Sequence, residues 1–395
     1  MLRMGVVQDL FGILTLFVLF APLLHVLASN HPIFITKCLT LPPAVRLGLG
    51  QEHALKKDCE QASSGACFWE INANEGYELA TRIFQELNNG KSGQIRSKTL
   101  WFPTLESAAI LEGLATVIVA NSDKLGGVHV ATASWPQVPA TKLELSWKHM
   151  TAENEFTLSG AQQQSKISAT ERWVAGTLCR LKLCPHTVSL QRGAVGLELA
   201  KVREGPVIVR HAQSGIGYPC RAASAASAFW ECVSQIATTP EDELSTVLLV
   251  VPSSYDDSFL DFAYLCDNLI EPSVKISGAD SVIGRAWFHP KYEAAAIGHD
   301  KVLPGHALPA SMVNGFINAM SSETTKLPDP YEIVRANDAV RWTPHSTINL
   351  LRRSQLNAAK QVEAHLVNSK PNAIYAKNVF RILADGSLLK TKKTS

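Results

Sequence analysis

Charge is scarce in this sequence. Charged residues make up 18%, and 37 Lys and Arg against 35 Asp and Glu leave a net charge of +2. No basic face able to follow a phosphate backbone is implied, which excludes nucleic acid as an expected partner. The eight cysteines contain no C-x-x-C pair, so neither a zinc ribbon nor a thioredoxin-type centre is indicated. No G-x-x-x-x-G-K-S/T, G-x-G-x-x-G or H-E-x-x-H occurs. These absences exclude the standard nucleotide loops and the helical zinc-protease site. His289, His299 and His306, with Asp300, carry metal-ligating groups but lack ligand spacing. They read as solvated loop histidines, so no metal site is expected, and no cofactor is indicated. An N-x-S/T glycosylation sequon is also missing, which leans away from a long stay in the secretory lumen.

Apolar residues are plentiful, 46% of 395, a composition that supports a packed core in a chain long enough for two domains. Leu10 to Ala28 is uncharged, broken by Pro22 and ending in Val26-Leu27-Ala28, which fits the small-residue rule of signal cleavage. It is also about the 20 residues that a bilayer span needs. Residues 1–28 therefore predict a signal peptide and entry into the secretory pathway, with a retained membrane anchor or a soluble helix as alternatives. Residues 29–59 hold Lys37, Arg46, Lys56 and Lys57 and few acids. A signal followed by such a stretch resembles the bipartite presequence of complex algal plastids, and a flexible linker is the equal alternative.

Residues 60–165 read as a small α+β extension. Helices are predicted over 76–87, stopped by Asn88-Asn89-Gly90, and over 104–120. Strands are predicted over 128–135 and 143–147, separated by Pro136 and Pro139. The polar run 160–166 marks the boundary, and a main domain follows over 166–385, with a basic tail over 386–395.

In the main domain, Val174, Leu178 and Leu181 recur on one face of a helix capped by Ser168 or Thr170 and ended at Cys184 by Pro185. Strand patterns at 206–211, 244–251 and 282–288 alternate with helical patterns at 221–237 and 259–270. The predicted fold is α/β: a small, mostly parallel sheet with flanking helices, plus the N-terminal extension and the hydrophobic targeting helix. A long irregular region, 293–337, with a short helix near 310–320, precedes a long helix over 346–366 and a final one over 372–383.

Several short stretches together carry a resemblance. They are Trp173-Val174 with Leu183-Cys184-Pro185, the 246–250 run with Phe259-Leu260-Asp261, Phe288-His289-Pro290-Lys291-Tyr292, Leu350-Leu351-Arg352, and Ile374-Tyr375-Ala376-Lys377-Asn378. Over about residues 170–383 the chain resembles the uncharacterised family called domain of unknown function 1415. The resemblance implies no established activity. It departs at His186-Thr187, where the family pattern is similar to Phe-Ala. It departs again at Asn349 and Arg353, where the pattern has His and Glu.

In open α/β sheets ligands bind at the carboxyl ends of the strands. Three such ends are His211, the turn from Val251 to Tyr255, and Phe288-His289-Pro290. Cys184, His289, Tyr292 and His345 are the candidate acid–base or ligand-contacting groups. Cys184 sits at a helix carboxyl end, where the dipole raises a thiol pKa, so a packed cysteine is the main alternative there. Ser253, Ser254, Arg341 and Arg352 are candidate ligand-binding groups, the arginines suiting a carboxylate or phosphate. The expectation is an organellar small-molecule-binding α/β domain that uses His, Cys and Tyr in acid–base chemistry. The alternative is a non-catalytic interaction domain, contacting membrane only through its N-terminal segment.

Overall fold

The computed structural model describes residues 76–89, 97–102, 106–135, 140–147, 158–212, 221–297, 312–313, 315, 329–365 and 373–391. The targeting segment, the basic stretch after it, His299, Asp300 and His306 lie outside the described residues, as does most of the helix expected near 310–320.

The extension is built from α1 (Gly76–Asn89), β1 (Ser97–Phe102), α2 (Glu106–Ala120), β2 (Val128–Trp135) and β3 (Ala140–Trp147). Its strands form an antiparallel sheet in the order β1-β3-β2. Leu79, Ile83 and Phe84 of α1 fall at helical spacing and are fully buried. Phe84 stacks on Trp230 of the next domain with centroids 6.1 Å apart. Asn121 Nδ2 donates to the Asn268 carbonyl at 2.9 Å. Extension and main domain therefore contribute to one continuous hydrophobic core.

The main domain opens with α3 (Gly160–Trp173), which runs on as a π-helical turn over Val174–Cys179. The polar run 160–166 is thus the start of a helix. Ser159 caps it, not Ser168 or Thr170: its side chain accepts from the Gln162 amide, and the Gln162 side chain returns the bond in a capping box. Thr170 lies inside and bonds back to the Lys166 carbonyl. The helix ends before Cys184, at left-handed Lys182 (φ 53°), where Leu183 N–H donates to Leu178 O at 2.9 Å. Pro185 comes too late to be the terminator.

A short hairpin, β4 (Thr187–Ser189) and β5 (Arg192–Gly193), leads to β6 (Val207–His211). Then follow α4 (Arg221–Thr238), β7 (Thr246–Val250), α5 (Phe259–Tyr264), a π-helical turn (Leu265–Ile270), α6 (Glu271–Ile276) and β8 (Ile283–Phe288). The chain closes with α7 (Pro330–Ala339), β9 (Thr347–Arg352), α8 (Arg353–His365), α9 (Ala373–Asp385) and α10 (Ser387–Thr391).

The main sheet has the order β6-β7-β9-β8. It is mixed, not mostly parallel. Only β6 and β7 run parallel, and β9 is antiparallel to both of its neighbours. The difference arises at 347–352, expected as the start of a helix. A short apolar run such as Ile348-Leu350-Leu351 is compatible with either period, and burial between β7 and β8 decides for the strand. The helix begins only at Arg353.

Strand register fixes what each face carries. His211, Val250, Thr347 and Phe288 lie in one row across the four strands, and Val209, Leu248, Asn349 and Ala286 in the next. These rows face α3, whose Trp173 packs with Val209, Leu248, Val250, Ala286 and Phe288. Leu356 of α8 lies over Gly284 on that face, where a Cβ would sit 1.8 Å from the leucine methyl. The opposite face, with Val247, Leu249, Trp287, Ile348 and Leu350, packs into the core shared with the extension.

Candidate functional site at one end of the sheet

Because β9 is antiparallel to its neighbours, its amino end lies beside the carboxyl ends of β6, β7 and β8. Four strand termini thus meet at one end of the sheet, the position where open α/β sheets bind ligands. Asp256 arrives on the 3₁₀ turn Ser253–Tyr255 that follows β7, and His345 arrives just before β9. Lys166 reaches the same place from the second turn of α3.

These three side chains form a compact triangle. His345 Nδ1 lies 2.9 Å from Asp256 Oδ2, and Lys166 Nζ lies 3.0 Å from the same oxygen and 3.0 Å from His345 Nδ1. The other carboxylate oxygen accepts from the Ser346 amide at 2.7 Å. Two threonines hold the His345 backbone, since Thr343 Oγ1 and Thr347 Oγ1 both donate to its carbonyl, at 2.5 and 2.7 Å. Burial alone would raise the Asp256 carboxyl. The bonds from His345 and the Ser346 amide and the charge of Lys166 outweigh it and hold the group at about 2. Asp256 is therefore a fixed anion at neutral pH. His345 Nε2 has no hydrogen-bond partner among the described residues and is the ring nitrogen left for other chemistry.

His211 stands at the end of β6 beside this triangle. Desolvation, and then the Lys166 charge, push it down to about 4, so its ring is neutral at ordinary pH. A weak contact with the Ala212 backbone offsets part of this, but neither ring nitrogen makes a well-formed hydrogen bond among the described residues. The Ser253, Ser254 and Ser346 hydroxyls are likewise buried without one.

Of the residues singled out from sequence, His345 is the one inside this cluster. Ser253 and Ser254 lie on the turn that delivers Asp256. His289 is fully buried and supports that turn from below. Its Nε2 lies 2.7 Å from the Tyr255 carbonyl, and its Nδ1 accepts from the Lys291 amide at 2.9 Å. The second bond places the ring proton on Nε2. Phe262 stacks on the imidazole with centroids 5.4 Å apart. Tyr292 is buried against Phe259 and under the Arg341 guanidinium, and burial pushes its phenol up.

Arg341 is itself in the core, donating to the Trp287 carbonyl at 3.2 Å. Arg352 clamps the carboxyl end of α4, donating to the carbonyls of Ile236, Thr239, Pro240 and Leu244. Arg353 donates to the carbonyls of Asp280 and Ile283. Arg341 and Arg352, read as anion ligands, are thus engaged with backbone, and Arg352 satisfies carbonyls that the end of α4 leaves open.

Cys184 lies elsewhere. Its recorded side-chain partner is Thr187 Oγ1 at 3.5 Å, in the hairpin whose Leu190 carbonyl meets the first residue of β6. That is the opposite end of the sheet from His345. Burial pushes the Cys184 thiol up, and bonds from Thr187 and the His186 amide offset only part of this. The nearby His186 turns its Nδ1 to the Val195 carbonyl at 3.0 Å.

Lys166, His211 and Asp256 were not among the sequence candidates for chemistry. In the sequence His211 stands out only as a strand end, Asp256 only as a residue after the Val251–Tyr255 turn, and Lys166 as part of a polar boundary. A shallow cleft of about 30 Å³ lies on the other side of the 253–255 turn, lined by Asn121, Lys124, Arg221, Tyr255, Asp261 and Tyr264. It suits a water and not a metabolite.

Residues 165–302 match the family described as protein of unknown function, DUF1415, the family that the sequence resembles. The match takes in Lys166, His211, Asp256 and His289 and stops before His345. No curated protein and no solved structure matches the chain.

Proposed function

We propose that this protein binds a small molecule at the carboxyl ends of its main sheet and performs acid–base chemistry on it through His345. The carrying observation is the bond between His345 Nδ1 and Asp256 Oδ2, made to a carboxylate that Lys166 and the Ser346 amide hold in its anionic form. A carboxylate on one imidazole nitrogen fixes the ring and its tautomer and leaves the other nitrogen to take or give a proton. With the Lys166 ammonium on Asp256, the Nδ1 proton goes to the carboxylate and Nε2 is a base. The proton it takes makes the ring an imidazolium, whose charge Asp256 balances, and the same Nε2–H returns that proton as the acid. Cys184 and Tyr292 take no part in this reading, because their thiol and phenol are held up by burial and lie away from the triangle.

A thermal-shift screen of metabolites on the full chain tests the proposal. Ligands that raise the melting temperature of the wild type are expected to lose that effect in His345→Gln. Any ligand that is turned over should show kcat reduced by about 10²- to 10⁴-fold. Ligands retained in full by both His345→Gln and Lys166→Met would sink the site and favour a non-catalytic interaction domain.

The uncharged run 10–28 and the acid-poor stretch after it support delivery through the secretory pathway, with a plastid-type organelle as destination. N-terminal sequencing of the mature protein reads this directly. A start at Ser29 or later is expected, and an intact Met1 end would mean a retained anchor instead.

A further inference from the structure

The face of the main sheet beneath α3 carries polar atoms that the acid–base triangle does not use. Asn349 sits in the central strand, in register between Leu248 and Ala286, and both of these pack against Trp173. Its side-chain oxygen is buried and has no hydrogen-bond partner among the described residues. The indole Nε1 of Trp173 is also buried and unpartnered among the described residues, although its ring packs edge-on against Phe288 with centroids 5.6 Å apart. His211, on the same face and in the row that ends at Phe288, adds two more nitrogens without a well-formed hydrogen bond among the described residues.

A buried donor or acceptor left unpaired is costly, so four such atoms on one face call for a partner beyond the described residues. Their chemistry describes that partner. The Trp173 N–H donates, the Asn349 oxygen accepts, and the neutral His211 ring does one of each. All are uncharged. Lys166, whose charge acts on His211, is already matched by Asp256. A carboxylate or phosphate offers acceptors alone and would face the Asn349 oxygen and the bare His211 nitrogen with its negative charge. A hydroxyl group both donates and accepts, and satisfies either kind.

We infer that this strip binds an uncharged, polyhydroxylated molecule of the polyol or sugar class, held by hydroxyl contacts to Asn349, Trp173 and His211. The inference rests on the proposed site and extends it, since His211 and Thr347 share the row beside His345. A hydroxyl group is also a fitting object for a base at Nε2, which can accept the proton of an O–H.

The test is titration of the full chain with xylitol, glucose and myo-inositol, each beside its monophosphate, read by thermal shift and by calorimetry. At least one of the neutral compounds should raise the melting temperature with saturation in the millimolar range. Saturation separates binding from the general stabilisation that polyols give by exclusion from protein surfaces. Asn349→Leu removes the acceptor at similar volume. It should abolish the saturable shift and leave the ligand-free melting temperature unchanged or higher.

A response to the phosphates alone would overturn the inference. So would a response that Asn349→Leu retains, or none to any neutral compound, which would mean that buried waters satisfy the strip. The two proposals fail separately. Neutral ligands bound equally by wild type and His345→Gln, and turned over equally, would remove the acid–base role and leave the polyol site. Ligands of another class that depend on His345 and ignore Asn349→Leu would do the reverse.

Discussion

Trp230→Ala should destabilise the protein by about 3–5 kcal/mol and free the extension from the main domain in the same step. Trp230 is fully buried on α4, stacked on Phe84 of α1 and edge-on to Phe229 with centroids 5.4 Å apart. Its backbone carbonyl accepts from Thr81 Oγ1 at 3.2 Å, so the same residue ties the helices together by its main chain as well. Truncation to Ala opens a cavity on the α1–α4 contact, and the stacked partner lies on an element that must hold its place without it. Urea denaturation should show a midpoint lowered accordingly. Limited proteolysis should cut within 76–147 at urea concentrations where the wild type resists. Trp230→Phe keeps most of the ring area and should lose less than half as much.

Asp256→Asn should cost about 2–4 kcal/mol, and the loss should come from charge and not from shape. The amide keeps an oxygen for the Ser346 N–H. It leaves Lys166, whose side chain is 14% exposed, without its counter-ion. Acid titration of stability offers a cleaner sign of the same group. The Asp256 carboxyl is at about 2 in the folded protein against an ordinary 3.8. It contributes roughly 2 kcal/mol above pH 3.8, lost as pH falls toward 2. The variant should lack that limb. His211, lowered to about 4 from 6.5, produces an earlier one. There the unfolded chain binds the proton first, so stability declines as pH falls from 6.5 to 4. The decline is about 1–2 kcal/mol after allowance for the partial exposure of the ring. Urea midpoints measured from pH 7 to 2 should show both limbs in the wild type and only the higher one in Asp256→Asn.

Much of the fold is legible in the residues alone. Helical spacing and a clear stop give 76–89 to within two residues, and alternation gives β2 over 128–135 without error. Ser159 escaped notice as a cap because the residues after it, GAQQQSK, carry no apolar period, and a polar helix face looks like a linker. β9 misled for the opposite reason: a six-residue run continuous with a good helix shares that helix's pattern, and only the neighbouring strands decide between them.

The site was legible as a place but not as a set of residues. Strand ends mark the region, yet Asp256 lies 90 residues from Lys166 and 89 from His345. Nothing local couples an acid after one strand to a lysine on a polar helix. His289 and the arginines drew attention by type. In the fold their polar atoms are engaged by backbone groups, which sequence cannot show.

The position of β9 has a consequence for how the chain is made. The strand that fills the gap between β7 and β8 is encoded about 60 residues after β8 ends and nearly 100 after β7. Until it emerges from the ribosome, β7 and β8 each present an open, strongly apolar edge that can pair with any other extended chain. The main sheet is therefore assembled late and by long-range pairing, a topology associated with slow folding and with exposure to aggregation on the way. Nascent chains that stop short of Thr347 hold the Lys166 and Asp256 arms of the site but no sheet able to bring them to His345.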